Sequence, residues 1–204
     1  MELVIASRNV HKIREFRAML KSLRELDLLS LVDFPSYESP EETGKTFEEN
    51  ALLKATHAAK SLGKWVIADD SGIVVPALRG EPGIHSRRYA GEEATDKDNR
   101  QKLLREMRSI AHPHRQAYFE CWIALAGPDG TIKAVKGISE GEVLEEERGR
   151  HGFGYDALFL KHEYGKTFAE LDEQTKNRVS HRRKALDRLQ PTLEALLSKH
   201  ALSS

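Results

Sequence analysis

Leu3-Val4-Ile5-Ala6 is an apolar run with no polar alternation, and the next segment spaces Ile13, Phe16, Leu20 and Leu23 at steps of three, four and three. A strand buried on both faces, followed by an amphipathic helix, is what such a pair encodes. The alternation recurs. Leu28–Phe34 reads as a second strand halted by Pro35, and Ser36–Lys45, rich in Ser, Pro, Glu and Gly, as a loop. Thr46 with Glu49 has the form of a capping box opening a helix along Phe47, Ala51, Ala55, Ala58 and Leu62, with Gly63 as its stop. Trp65–Ala68 is a buried-type strand ending at the turn-like Asp69-Asp70-Ser71-Gly72, beyond which Ile73–Leu78 continues extended. Arg79–Glu93 reads as an ordered loop, and Thr95–Ile110 as a helix with Leu103, Leu104, Met107 and Ile110 inward. Gln116–Ala126 and Thr131–Val143 pair around Gly127-Pro128-Asp129-Gly130. A second Gly-rich loop, Gly149–Gly154, leads into Tyr155–Leu160. The closing helix starts near Asn177, with Pro191 expected to bend or restart it. Early strands separated by helices and later strands joined by a hairpin predict an α/β protein, a twisted mixed sheet flanked by helices.

At 204 residues and 39% hydrophobic content the chain is long enough for one domain, or two lobes sharing a core. Thirty-two basic residues against thirty-two acidic argue against a protein that coats nucleic acid, which needs surplus positive charge. A single cysteine, Cys121, forms no internal disulfide and favours a reducing compartment. The amino-terminal segment is too short in apolar length for a signal peptide, and no apolar run approaches ~18 residues. A soluble cytoplasmic protein is the expectation.

Chemistry concentrates at strand ends and Gly-rich turns. Ser7-Arg8-Asn9-Val10-His11-Lys12 joins the first strand to the first helix, where amides and the helix dipole favour an anion and Lys12 adds a charge; equally, Ser7 or Asn9 caps the helix. Asp69 and Asp70 end a buried strand, where open α/β sheets bind ligands, and suit a hard cation such as Mg²⁺. Successive strand residues point oppositely, so both need not meet one ion. Glu41 and Glu42 either complete an oxygen shell or are solvated loop charges. Lys54 lies beside the apolar Ala55, at the buried edge of its helix or on the surface. Gly152-Phe153-Gly154-Tyr155-Asp156 offers a ring for base stacking and an acceptor for ring N–H groups, with Phe153 as plain core the alternative. Lys176, Ser180, His181, Arg182 and Arg183 gather cations at a helix entry, where they oppose the dipole unless an anionic or carbonyl-bearing ligand is met. Gly44-Lys45-Thr46 and Gly165-Lys166-Thr167 lack the upstream glycine of a P-loop, and the nine histidines show no paired zinc spacing. Cys121, beside Trp122 in a strand-like run, is a buried thiol rather than a nucleophile.

In order, Ser7-x-Asn9-x-x-Lys12, Glu41-x-x-Gly44-x-Thr46-Phe47-x-Glu49-Asn50-Ala51-x-x-Lys54-Ala55, Ala68-Asp69-Asp70-Ser71-Gly72, Pro82-Gly83-Ile84-x-Ser86-x-Arg88-Tyr89, Gly152-Phe153-Gly154-Tyr155-Asp156 and Ser180-His181-Arg182 resemble the inosine/xanthosine triphosphate pyrophosphatase family from about Leu3 to Leu197. The resemblance implies an elongated mixed α/β fold with two lobes around a nucleotide-binding cleft, a homodimer, and Mg²⁺-dependent cleavage of ITP, dITP or XTP between the α- and β-phosphates. It implies Asp70 as general base and metal ligand, and Glu41 as the other ligand. Ser7, Arg8, Asn9, Val10, His11 and Lys12, with Ser71, would hold the triphosphate, and Lys54 would add positive charge. Phe153, Gly154, Tyr155, Asp156, Lys176, His181 and Arg182 would hold the base and adjoining phosphate. A 6-oxo purine needs donors at its exocyclic oxygen, from His181 and Arg182, and an acceptor at N1, from Asp156 or a backbone carbonyl. Arg8 stands where the family often has glycine, Ser7 where it has threonine, and Ala157 replaces a proline, which would loosen that loop. His85 stands at a position often aromatic or hydrophobic. The rival readings are a catalytically silent purine-nucleotide-binding regulator and an RNA-binding module using Phe153 and the basic helix entry.

Overall fold

The computed structural model describes residues 1–203. One seven-stranded sheet, in the order β2-β1-β3-β4-β5-β6-β7, organises them. Its strands are β1 Glu2–Ile5, β2 Asp27–Ser30, β3 Trp65–Val74, β4 Gln116–Ala126, β5 Ile132–Val143, β6 Phe159–Lys161 and β7 Lys166–Thr167. The helices are α1 Val10–Leu20, α2 Phe47–Leu62, α3 Asp96–Glu106, α4 Glu173–Val179 and α5 His181–Ser203. β1 runs parallel to β2 and β3, whereas β6 is antiparallel to β5 and β7. The mixed α/β architecture expected from the alternation is therefore what the chain adopts.

The chain divides into two compact units, one of Met1–Asp70, Cys121–Gly137 and the segment from Arg182, the other of Ser71–Glu120 and Ile138–His181. In the first unit, strand alternation sorts side chains into two layers. Leu3, Ile5 and Ile67 join Cys121, Ile123 and Leu125 against Ile13 and Phe16 of α1 and Leu186, Leu189 and Leu193 of α5. Val4, Val66 and Ala68 turn the other way, onto Ala51, Ala55 and Ala58 of α2. In the second unit, Ile73, Val75, Leu103, Met107, Phe119, Phe159 and Phe168 form a separate core.

Several boundaries differ from expectation for identifiable reasons. β2 stops at Ser30 rather than reaching Phe34, because the Asp33 carboxylate accepts from the Ser30 amide at 2.8 Å and its hydroxyl at 3.0 Å and curls Leu31–Asp33 into a 3₁₀ turn. β3 passes through Asp69-Asp70-Ser71-Gly72 without turning. The expected single closing helix is two, α4 and α5, separated at Ser180, whose backbone is extended. Pro191 lies inside α5 and does not restart it.

Candidate active site

The parity of β3 decides what each aspartate does. Asp69 shares the face of Ile67, toward α1 and α5; Asp70 shares the face of Val66 and Ala68, toward α2. Asp69 is met by cations from both helices, with Lys12 Nζ at 3.0 Å and Arg182 Nη2 at 2.8 Å. Arg182 is 1% exposed, and its Nη1 also pairs with Glu15 on α1. Burial alone would raise Asp69; the charges of Lys12, Arg182 and Lys54 outweigh it and hold the carboxyl well below the usual range.

Asp70 faces a different set. Its Oδ2 accepts from Asn50 Nδ2 at 3.1 Å, and Lys54 Nζ lies 3.4 Å from Oδ1. Burial raises its carboxyl above the ordinary value, Lys54 and Lys12 offsetting only part of that and Glu42 adding to it. For Lys54, burial opposes the charge, but Asp70, Glu42 and Asp69 prevail and raise it, so it stays an ammonium. Adjacent residues thus sit in opposite electrostatic settings: one carboxylate held ionised among cations, the other with its proton affinity raised by burial.

Of the two loop acids, Glu41 is exposed, and it is Glu42 that reaches this group, its Oε1 3.0 Å from Lys54 Nζ. The turn at Thr43, whose amide donates to the Glu41 carbonyl at 3.1 Å, and the Gly44 amide, which donates to Asn50 Oδ1 at 2.8 Å, fix which acid faces α2. Among the described residues, no three His, Cys, Asp or Glu side chains converge as a metal cage. Mg²⁺ does not require one, since it keeps waters and binds through one or two carboxylates plus substrate phosphates. Asp70 and Glu42, already bridged by one cationic side chain, fit that donor set.

At the start of α1 the capping role is realised. Ser7 Oγ accepts the Asn9 amide at 3.1 Å, and Asn9 Oδ1 accepts those of His11 at 3.0 Å and Lys12 at 3.3 Å. Arg8 reaches back to donate to the Tyr37 carbonyl at 2.7 Å and the Phe34 carbonyl at 3.4 Å. Val10 remains exposed beside them.

In the second unit Ser71 is half-buried on β3, and the loop before β6 is built around Asp156. That buried carboxylate accepts the Phe153 amide at 2.9 Å and Lys176 Nζ at 2.6 Å, and the same ammonium lies 4.8 Å from the centre of the Phe153 ring. Tyr155 is buried and donates to the Ser86 carbonyl at 2.8 Å. His181 stacks on Phe119, centroids 4.7 Å apart. Asp156 therefore shapes the loop from inside, and Phe153, half-buried, is the ring left at its surface. Gly152 has φ +78°, and a Cβ there would lie 2.1 Å from Asp156 Oδ2. Gly152→Ala is expected to destabilise the protein by about 2 kcal/mol, measured by urea unfolding; an unchanged midpoint would contradict the packing described.

Two residues with clear roles carried little signal. Glu15 sits three residues after Lys12 and next to Phe16, an acid within a buried stripe. Asn50, 1% exposed, stands in the sequence only as one member of a motif but spans Gly44 and Asp70.

The family described as the Ham1 family matches residues 3–192. A protein of Protochlamydia amoebophila named dITP/XTP pyrophosphatase is 58% identical over 197 residues, covering 96% of this chain and 99% of its own. The Ham1 protein of Staphylococcus aureus superposes with a TM-score of 0.84 at 44% identity, and one from Coxiella burnetii with 0.86 at 42%; each comparison covers 96% of this chain and 99% of the other.

Proposed function

Because this chain belongs to the Ham1 family, we propose that it hydrolyses non-standard purine nucleoside triphosphates (ITP, dITP and XTP) to the monophosphate and pyrophosphate. The observation that carries the reading is the division at β3, with Asp69 tied to Lys12 and Arg182, and Asp70 turned onto Asn50 and Lys54.

In this reading the Asp70 carboxylate takes a proton from the attacking water. The water oxygen bonds to the α-phosphorus, and the bridging bond to the β-phosphate breaks, releasing pyrophosphate. Lys12 and Lys54 neutralise charge growing on the phosphate oxygens, which is most of what catalysis of phosphoryl displacement requires. When bound, Mg²⁺ would be held by Asp70 and Glu42 and supply further neutralisation of the phosphates. Glu42 thus takes, in this reading, the role that the resemblance implies for Glu41. The Ser7–Lys12 segment supports binding of the triphosphate, to which Ser71 would contribute. Phe153, Gly154 and Tyr155, with Lys176 and His181, support recognition of the base. Arg182 would have to leave two carboxylates to touch a base, so its part is to fix Asp69. A nucleotide-pool substrate fits action in the cytoplasm, and a homodimer is the assembly carried over from the resemblance. No helix among the described residues is long and apolar enough to cross a membrane.

The test is initial rates with ITP, XTP, dITP, GTP and ATP in ¹⁸O-water containing Mg²⁺. The proposal expects pyrophosphate as leaving group, label only in the monophosphate, and preference for the first three substrates. Release of orthophosphate, or label in pyrophosphate, would overturn it. Tight binding of ITP without turnover would favour the silent regulator.

A further inference from the structure

Gly154 is held by both of its backbone groups, and both holders come from α3. The Asp96 carboxylate accepts its amide at 2.6 Å, and Arg100 Nη1 donates to its carbonyl at 2.8 Å. Asp96 and Arg100 are four residues apart at the start of α3, on one helix face. Arg100 also places its Nε 3.0 Å from Glu147 Oε1, so a single side chain ties two points of the same loop. Gly154 has φ +58°, and a Cβ there would meet nothing within 4 Å. Glycine is therefore needed for its backbone conformation rather than for space. On the other side the loop is stitched to Ala169 through the amides of Arg150 and His151, at 3.2 and 3.1 Å. The α3 pair is the counterpart restraint, one residue from Phe153.

We infer that Asp96 and Arg100 are positioning residues for the substrate base, fixing Gly154 and with it the pose in which Phe153 meets the purine. Neither touches the substrate; each acts through the loop. The inference rests on the pyrophosphatase reading above, and it adds specificity-determining residues to that reading from a helix remote in sequence. A hydrogen bond from a charged group is stronger than a neutral one and, from a helix, well aimed, so the pair preorganises the loop before ligand arrives. Its loss should weaken nucleotide affinity more than the chemical step.

The experiment combines steady-state kinetics with ITP and Mg²⁺ and amide hydrogen exchange of the ligand-free protein, for wild type, Arg100→Leu, Arg100→Lys and Asp96→Ala. Arg100→Leu and Asp96→Ala are expected to raise KM roughly tenfold with kcat changed less than about twofold, and to speed exchange at Phe153 and Gly154 by roughly tenfold. Arg100→Lys, retaining one donor, should recover part of the KM. Equal falls in kcat with KM unchanged, or exchange unaltered at Gly154, would overturn the positioning role. Faster exchange with wild-type KM would show a purely structural restraint and overturn it too. Wild-type protein that releases no pyrophosphate from ITP would instead overturn the pyrophosphatase reading, and the positioning role with it.

Discussion

Asp70→Asn is expected to lower pyrophosphate release from ITP by about 10²–10⁴-fold, the range a general base contributes, while leaving the fold intact. Its effect on stability has an unusual sign. The folded carboxyl is raised above its unfolded value, chiefly by burial, so the folded state binds a proton more readily than the unfolded chain. The contribution of Asp70 is thus fully present below its unfolded pKa and lost as pH rises through the folded one. At neutral pH the ionised group is a burden, and the amide should leave the melting temperature unchanged or higher. Calorimetry beside the rate assay checks both parts. A fall in melting temperature matching the loss of activity would mean that Asp70 holds the fold rather than taking a proton. The acid limb of kcat/KM follows from the same shift, falling as pH drops through a value above the ordinary carboxylate.

Asp69→Asn is expected to do the reverse, destabilising the protein by about 3–5 kcal/mol because Arg182 keeps its buried charge with one carboxylate fewer. Its depressed pKa gives the usual acid dependence: the stability is present above the unfolded value and lost as pH falls through the depressed folded one. Urea unfolding at neutral pH measures the loss. A change under about 1 kcal/mol would show that solvent reaches the cluster, as at exposed pairs.

Much of this was legible in the chain. The apolar runs marked β1 and the start of β3, because burial on both faces leaves a continuous hydrophobic signature, and the Gly127-Pro128-Asp129-Gly130 turn marked the β4–β5 hairpin. Alternation along β3 already said that Asp69 and Asp70 need not share a partner. What escaped depended on long-range pairing. Asp-Asp-Ser-Gly reads as a turn because Asp and Gly are turn residues in isolation, and only cations from helices far apart in sequence make two buried carboxylates tolerable inside a strand. Arg182 reads as a ligand-facing cation because its partners, Glu15 and Asp69, lie 167 and 113 residues away. Chemically Glu41 and Glu42 are alike, and the family motif points to Glu41; that Glu42 is the one at Lys54 is a matter of loop geometry, in which the Asn50 bond to the Gly44 amide takes part.

The split between the two aspartates is tested most directly by carbon NMR titration of their carboxyls in metal-free protein. Asp70 should titrate above about 3.9, the ordinary aspartate value, and Asp69 well below it. Two carboxyls titrating together near that value, or Asp69 titrating as the higher of the two, would contradict the account.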